Sequence, residues 1–239
     1  MSKKNVRVFE ETEEEVEEAA GSQHLFSMLT APEEEQNNRI LGLYGEVSQE
    51  KSELVVYSLF SLHRNRIKHV PRPLTAAQKA KIKAAEKKGV EPDIEIKFDE
   101  VSQPIDFVIS TPGGRAVDMF SIYDTMRMVR KDCDISTFGL GQVMSAGTLL
   151  LASGTKGKRK IGKHCRVMIH QVSAGTAGPH HEMLNEIAEI EHTQKQYIKC
   201  LSAETKMSES AIRKLFERKV NIYLSAEEAV KYGIADIIV

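Results

Sequence analysis

Seven residues, Gly141-Gln142-Val143-Met144-Ser145-Ala146-Gly147, constrain the fold of this chain more than any other stretch. The β-branched run Asp134-Ile135-Ser136-Thr137-Phe138 leads into them, and the apolar run Thr148-Leu149-Leu150-Leu151-Ala152 leads away. That order predicts a strand feeding a helix through a tight turn that carries Ser145. Small residues on both sides let another backbone come close. Free N–H groups and the positive end of a helix dipole lie beside a hydroxyl so placed. Such ground suits a nucleophile whose attack creates an oxyanion. Serine is also a favoured helix N-cap, so the stretch alone supports either role.

The chain around it alternates strand-like and helix-like runs. Arg39 to Tyr44 reads as the first core strand, and Ser48 to Leu62 as an amphipathic helix. Ile105 to Ser110, the run into Ser145, and Arg166 to Ile169 read as further strands, with a helix over Val117 to Val129. This alternation predicts an α/β fold of parallel βαβ units. Sites in such sheets gather beyond the carboxyl ends of the strands. Thr111-Pro112-Gly113-Gly114, Ser145 and Met168-Ile169-His170-Gln171 all fall there. Further on, His180 to Lys206 predicts a long helix with Met183, Ile187, Ile190, Tyr197 and Leu201 along one stripe. Shorter helices follow over Glu209 to Arg218 and Ala226 to Tyr232, then a strand over Ala235 to Val239.

Two regions stand apart. Residues 1–24 are polar and acidic, with a glutamate run from Glu10 to Glu18, and are expected to form a mobile tail before a domain over 25–239. Residues 71–103 read as a surface insertion: Pro71 and Pro73 break structure, Thr75 to Lys88 predicts an exposed helix closed by Gly89, and Ile94 to Phe98 alternates like a strand. The 33 basic and 34 acidic residues nearly cancel, which gives no general affinity for nucleic acid or membrane. Cys133, Cys165 and Cys200 lack metal-site spacing and read as reduced thiols, pointing to a cytoplasmic setting. The N-terminus shows no apolar signal-peptide core, and no apolar run is long enough to span a bilayer.

Three patterns mimic other sites. Gly157-Lys158-Arg159-Lys160-Ile161-Gly162-Lys163 approaches a phosphate loop, but His164 replaces the Ser or Thr that binds magnesium. Gly139-x-Gly141 hints at a dinucleotide fold, but Met144 replaces the third glycine. His180, His181, Glu189 and His192 lack the partner helices of a metal bundle. No cofactor and no metal are expected.

Taken together, Thr-Pro-Gly-Gly at 111–114, Gly-Gln-x-x-Ser-x-Gly at 141–147 and Met-Ile-His-Gln at 168–171 closely resemble the Clp protease proteolytic subunit. The likeness extends to Ser121-Ile122-Tyr123-Asp124-Thr125-Met126, Gly157-Lys158-Arg159, Arg166-Val167-Met168 and Leu224-Ser225-Ala226-Glu227-Glu228-Ala229-Val230, and runs from about Arg39 to the C-terminus. The resemblance implies a fold shared with crotonase-like proteins, a protruding handle helix over about 180–206, and a self-compartmentalised serine peptidase. It assigns Ser145 as nucleophile, His170 as general base and then acid, and the backbone N–H groups of Gly114 and Ala146 as oxyanion donors. Gly113 and Gly114 would pair with the substrate backbone as an added strand. Asn221 falls where the family carries its third catalytic residue, an aspartate; Glu217 is an alternative acid, and the segment from Ser136 to His181 holds no Asp or Glu. Asparagine accepts a hydrogen bond but gives imidazolium no full charge, so weakened activity is expected.

The family also implies polypeptide substrates, heptameric rings stacked into a tetradecamer as a homo-oligomer or with a paralogue, and an AAA+ unfoldase partner. Asp106 and Val108 stand where it has partner-pocket aromatics, which points to a changed partner or none. Two other readings compete. A non-catalytic ring subunit fits Asn221, whereas a crotonase-like acyl-CoA enzyme conflicts with the serine motif.

Overall fold

The computed structural model describes residues 38–218 and 220–239. The acidic segment expected at residues 1–24 lies outside them. The described chain divides into two compact units, residues 71–99 and residues 39–70 with 100–239.

The larger unit is built on a mostly parallel sheet. Its strands are β1 (Ile40–Tyr44), β4 (Ile105–Thr111), β5 (Ile135–Met144), β6 (Lys160–Ile161), β7 (Arg166–Ile169), β8 (Ile222–Leu224) and β9 (Ile237–Ile238). The main order is β1-β4-β5-β6-β9, with β7 beside the far half of β5 and β8 beyond β7. β5 therefore serves two neighbours. Phe138 and Gly139 pair with β6, then Gln142, Val143 and Met144 pair with β7. The strand was expected to end before the glycine motif; it continues through it. Gly141 makes this possible, because at φ 65° it turns the strand from one neighbour to the next. β8 runs antiparallel to β7, an edge that the alternation did not predict.

β4 alternates strictly, with Ile105, Phe107 and Ile109 fully buried. Against the sheet pack α1 (Gln49–Arg64) through Val55 and Leu59, and α3 (Ala116–Val129) through Met119, Ile122, Tyr123, Met126 and Val129. The helix after Ser145, α4 (Ala146–Ala152), is buried on every side, as an all-apolar helix must be. Leu149, Leu150 and Leu151 are each worth about 2 kcal/mol of burial, an upper figure because the unfolded chain is already partly collapsed. Ser145 thus sits at the mouth of the most deeply packed helix in the unit.

Beneath this core lies a charged cluster. Arg130 makes a two-pronged contact with Glu204 at 2.8 and 3.0 Å, and Tyr123 donates to the same carboxylate at 3.2 Å. Arg159 bonds Asp236 at 2.5 and 2.8 Å and the Glu204 carbonyl at 2.7 Å. Burial alone would raise both carboxyls, but the guanidinium groups hold them below the usual carboxylate range. The Asp236 carboxylate also accepts the N–H groups of Gly157 and Arg159, which fills with the chain's own anion the turn that mimicked a phosphate loop.

The long helix α5 runs His180–Glu204, two residues shorter than expected. Its apolar stripe is split. Tyr197, Ile198 and Leu201 are buried in the core, whereas Leu184 and Ile187 are 54% and 47% exposed. It is followed by α6 (Glu209–Glu217) and α7 (Ala226–Tyr232), the latter closed by Gly233 in the left-handed region.

In the smaller unit, α2 (Ala76–Lys88) begins with a Thr75–Gln78 capping box and ends at left-handed Gly89, as its sequence signals predict. The strand expected at Ile94 to Phe98 is displaced. Its alternation is real, with Ile94 and Ile96 half-buried between exposed Glu95 and Lys97. Its contacts are mixed: Gln78 of α2 donates to the Glu95 carbonyl at 2.9 Å, and the Arg72 N–H donates to the Lys97 carbonyl at 2.8 Å. The regular strand, β3 (Phe98–Ser102), begins where the expected one was to end and pairs with an unforeseen β2 (Ile67–Pro71). Among the described residues no helix is long and apolar enough to cross a membrane.

Candidate active site

Backbone register brings the site together. β5 and β7 are parallel neighbours with Met144 opposite Met168. Ser145 directly follows β5, and its N–H donates to the Met168 carbonyl at 2.7 Å. His170 directly follows β7; the register sets Ser145 level with Ile169, so His170 stands one residue further along the neighbouring strand. His170 Nε2 lies 2.7 Å from Ser145 Oγ. With the hydroxyl donating to Nε2, neutral His170 carries its own proton on Nδ1.

Ser145 has φ 54° and ψ −119°, and it is the one non-glycine residue at positive φ among those described. Such a conformation costs roughly 1–3 kcal/mol and persists where the surroundings fix it. It occupies the N-cap position of α4 yet makes no capping bond, because its hydroxyl faces His170 instead. The bland reading of Ser145 as a helix cap is therefore not the one its side chain follows. Thr148 steadies the same junction by donating to the Met168 carbonyl at 3.0 Å.

The Pro112-Gly113-Gly114 turn presses against this elbow. A β-carbon on Gly113 would stand 2.6 Å from Ser145 Cβ and 3.1 Å from its Oγ, at φ 103°. Only a hydrogen allows that approach. The Gly113 N–H is held at 3.0 Å by Thr111 Oγ1, a buried threonine whose role the sequence did not reveal. Gly114 is constrained by the chain itself. Its missing side chain makes room for the protein's own backbone: a β-carbon there would meet the Val47 carbonyl oxygen at 2.2 Å. The bridge between Val47 and Gly114 uses the Gly113 carbonyl and the Arg115 N–H, at 2.7 and 2.9 Å. In a parallel bridge this turns the Gly114 N–H to the opposite side. Ala146 is the first residue of α4, where N–H groups have no partner within the helix. Both residues line one cleft of about 130 Å³ with Ser145, His170, Met119 and Tyr197.

Asn221 reaches the site through β8. Ile222 lies opposite Ile169 in the antiparallel ladder, so the next position sets Asn221 across from His170. The two share a second groove of about 440 Å³, with Gln171, Val172, Ser173 and Val220. Among the described residues no hydrogen bond joins Asn221 to His170. Neither groove is lined by an Asp or Glu. The alternative acid, Glu217, is exposed at the end of α6 and lines neither groove. Burial, with no anion to oppose it, holds His170 below the ordinary histidine pKa. The imidazole is thus a neutral acceptor at pH 7, but its protonated form gains little from this chain.

The loop after β7 is pinned on both sides. Gln171 donates to the Phe216 carbonyl at 2.9 Å, and the Val172 N–H to the Gln194 side chain at 2.6 Å. Tyr197, which read as one member of an apolar stripe, turns its hydroxyl to the Ser145 carbonyl at 3.2 Å. Its amphipathic tip was the sole signal, and nothing in the sequence says where that tip points. Among the described residues no group of three or more His, Cys, Asp or Glu is placed to hold a metal.

The Clp protease family model matches residues 94–239 of this chain. Among curated proteins, the chain is similar to the ATP-dependent Clp protease proteolytic subunit 2 of Chlamydia pneumoniae, with 38% identity over 141 residues covering 59% of this chain and 68% of that protein. It is likewise similar to the ATP-dependent Clp protease proteolytic subunit 4 of Rhodococcus jostii, with 36% identity over 146 residues covering 61% and 73%. For subunit 2 of Corynebacterium diphtheriae the identity is 33% over 144 residues, covering 60% and 70%.

Proposed function

Because the chain belongs to the Clp protease family, we propose that it is a serine-type endopeptidase subunit of a self-compartmentalised ring protease, hydrolysing unfolded polypeptides or short peptides. The observation that carries this reading is the 2.7 Å contact between His170 Nε2 and Ser145 Oγ on a strained strand-to-helix elbow. His170 takes the hydroxyl proton as Ser145 Oγ attacks the peptide carbonyl. The developing oxyanion is received by the N–H groups of Gly114 and Ala146. His170 then protonates the leaving amine, and a water that it deprotonates releases the acyl-enzyme. The extended Gly113–Gly114 stretch takes the substrate backbone as an added strand.

Asn221 stands in the third catalytic position, across from His170, and offers its imidazolium no charge, so turnover is slower than in an aspartate triad. The subunits form heptameric rings stacked as a tetradecamer, alone or with a paralogue, in the cytoplasm. The exposed Leu184 and Ile187 support α5 as the handle between rings. Residues 71–103 are a surface insertion. An AAA+ partner supplies ATP-driven unfolding.

A second reading, a non-catalytic ring subunit, is favoured by one observation: no carboxylate lines either groove beside His170. Treating the assembled protein with a fluorophosphonate and reading intact mass separates the two. One adduct per subunit, absent in Ser145→Ala, supports the peptidase. No adduct in an assembled ring overturns it and leaves the structural subunit.

A further inference from the structure

We infer that Tyr197 is a positioning residue for oxyanion stabilisation, acting through the peptide group between Ser145 and Ala146; this rests on Ser145 being the nucleophile. A peptide unit is planar, and its C=O and N–H point in opposite directions. Whatever fixes the Ser145 carbonyl therefore fixes the Ala146 N–H. The Tyr197 hydroxyl donates to that carbonyl at 3.2 Å, and the Thr148 N–H donates to it at 3.0 Å. Together they hold one end of the amide whose other end is the oxyanion donor. Donation to a carbonyl also polarises its amide, which makes the N–H a stronger donor.

Tyr197 is itself held firmly. It is 4% exposed, and its ring stacks on Phe216 with centroids 6.3 Å apart and planes 10° from parallel. Phe216 in turn is tied by its carbonyl to the Gln171 side chain. Burial pushes the phenol pKa well above its ordinary value, so the hydroxyl keeps its proton across the working pH range. Tyr197 also lines the cleft beside Ser145, Ala146 and His170. A leucine or phenylalanine would fill the same space; only the hydroxyl reaches the elbow.

The test compares wild type with Tyr197→Phe, which keeps the ring and its stack and deletes the donor. The readouts are the second-order rate of fluorophosphonate labelling across pH, the affinity for a peptidyl boronate, whose adduct is tetrahedral, and the thermal midpoint. Losing an entire oxyanion donor costs about 10²–10³ in rate. Loosening one through its own amide is expected to slow labelling and weaken the boronate about tenfold, with KM for a peptide, the pH midpoint and Tm unchanged. Placing p-aminophenylalanine at position 197 restores an N–H donor and is expected to recover the rate to within about threefold; should Tyr197→Phe not fold, failure of this variant to label faster than Tyr197→Leu overturns the inference. Equal labelling of wild type and Tyr197→Phe overturns the positioning role and leaves the peptidase reading intact. A Tm loss with unchanged labelling assigns Tyr197 to packing alone. Absence of labelling in wild type removes both readings together.

Discussion

Gly114→Ala is the substitution whose cost follows most directly from the coordinates. The added carbon would stand 2.2 Å from the Val47 carbonyl oxygen, 2.7 Å from its nitrogen and 2.8 Å from its carbonyl carbon. All three are backbone atoms, so no rotamer change relieves the clash. Relief requires parting the Val47–Gly114 bridge, whose hydrogen bonds measure 2.7 and 2.9 Å. Two such bonds are worth roughly 0.5–1.5 kcal/mol each. Overpacking adds about 1–3 kcal/mol, and a side chain at φ 154° adds strain. The contributions together come to about 3–9 kcal/mol, which for a domain of this size lowers Tm by about 6–36 °C. Scanning calorimetry at one fixed protein concentration measures it. Gly157→Ala is the control: its φ of 84° carries backbone strain, but nothing lies within 4 Å of the added carbon. If Gly114→Ala melts no lower than the control, the steric argument is wrong. Because the same clash rotates the Gly114 N–H away from the cleft, fluorophosphonate labelling should fall by about 10²-fold, the cost of losing one oxyanion donor.

Further outcomes follow from the site and its supports. Asn221→Asp places a carboxylate across from His170, and an opposite charge at about 4–6 Å raises an imidazole pKa by roughly 1–3 units; the labelling-rate midpoint should move up in pH, with a plateau at least about tenfold higher, and an unmoved midpoint would show that the residue does not sense His170. In wild type the midpoint should fall below 6.5, because burial lowers the His170 pKa and only the neutral ring accepts a proton. The linkage has a matching sign: folded His170 binds fewer protons than in the unfolded chain, so its contribution to stability is full above 6.5 and diminishes as pH falls through that value toward the folded pKa. Glu204→Gln leaves Arg130 facing a neutral amide and should cost about 3 kcal/mol in urea unfolding; a loss under about 1 kcal/mol would mean that the pair is solvated. Thr111→Val removes the hydroxyl that holds the Gly113 N–H, and the labelling rate should drop several-fold while Tm changes by only a few degrees.

The sequence by itself determined most of the helices and core strands and pointed to a candidate nucleophile. A short apolar run marked β4, Gly89 and Gly233 marked the ends of α2 and α7, and the glycine motif with its flanking runs announced a serine at a strand-to-helix turn. These are local signals, carried by side-chain period and by the φ freedom of single residues. What it left open were the relations between segments distant along the chain. That Ser145 Oγ meets His170 Nε2 is a consequence of β5 and β7 being parallel neighbours in one register. That Asn221 faces His170 depends on an antiparallel β8 of three residues, too short for its own pattern to declare. That Gly114 must be glycine because of Val47, and that Tyr197 turns its hydroxyl to the Ser145 carbonyl rather than into an apolar stripe, are packing facts between elements 67 and 52 residues apart. Local propensity acts over a few residues, whereas these contacts are selected by the burial of the whole sheet, and only the tertiary structure decides them.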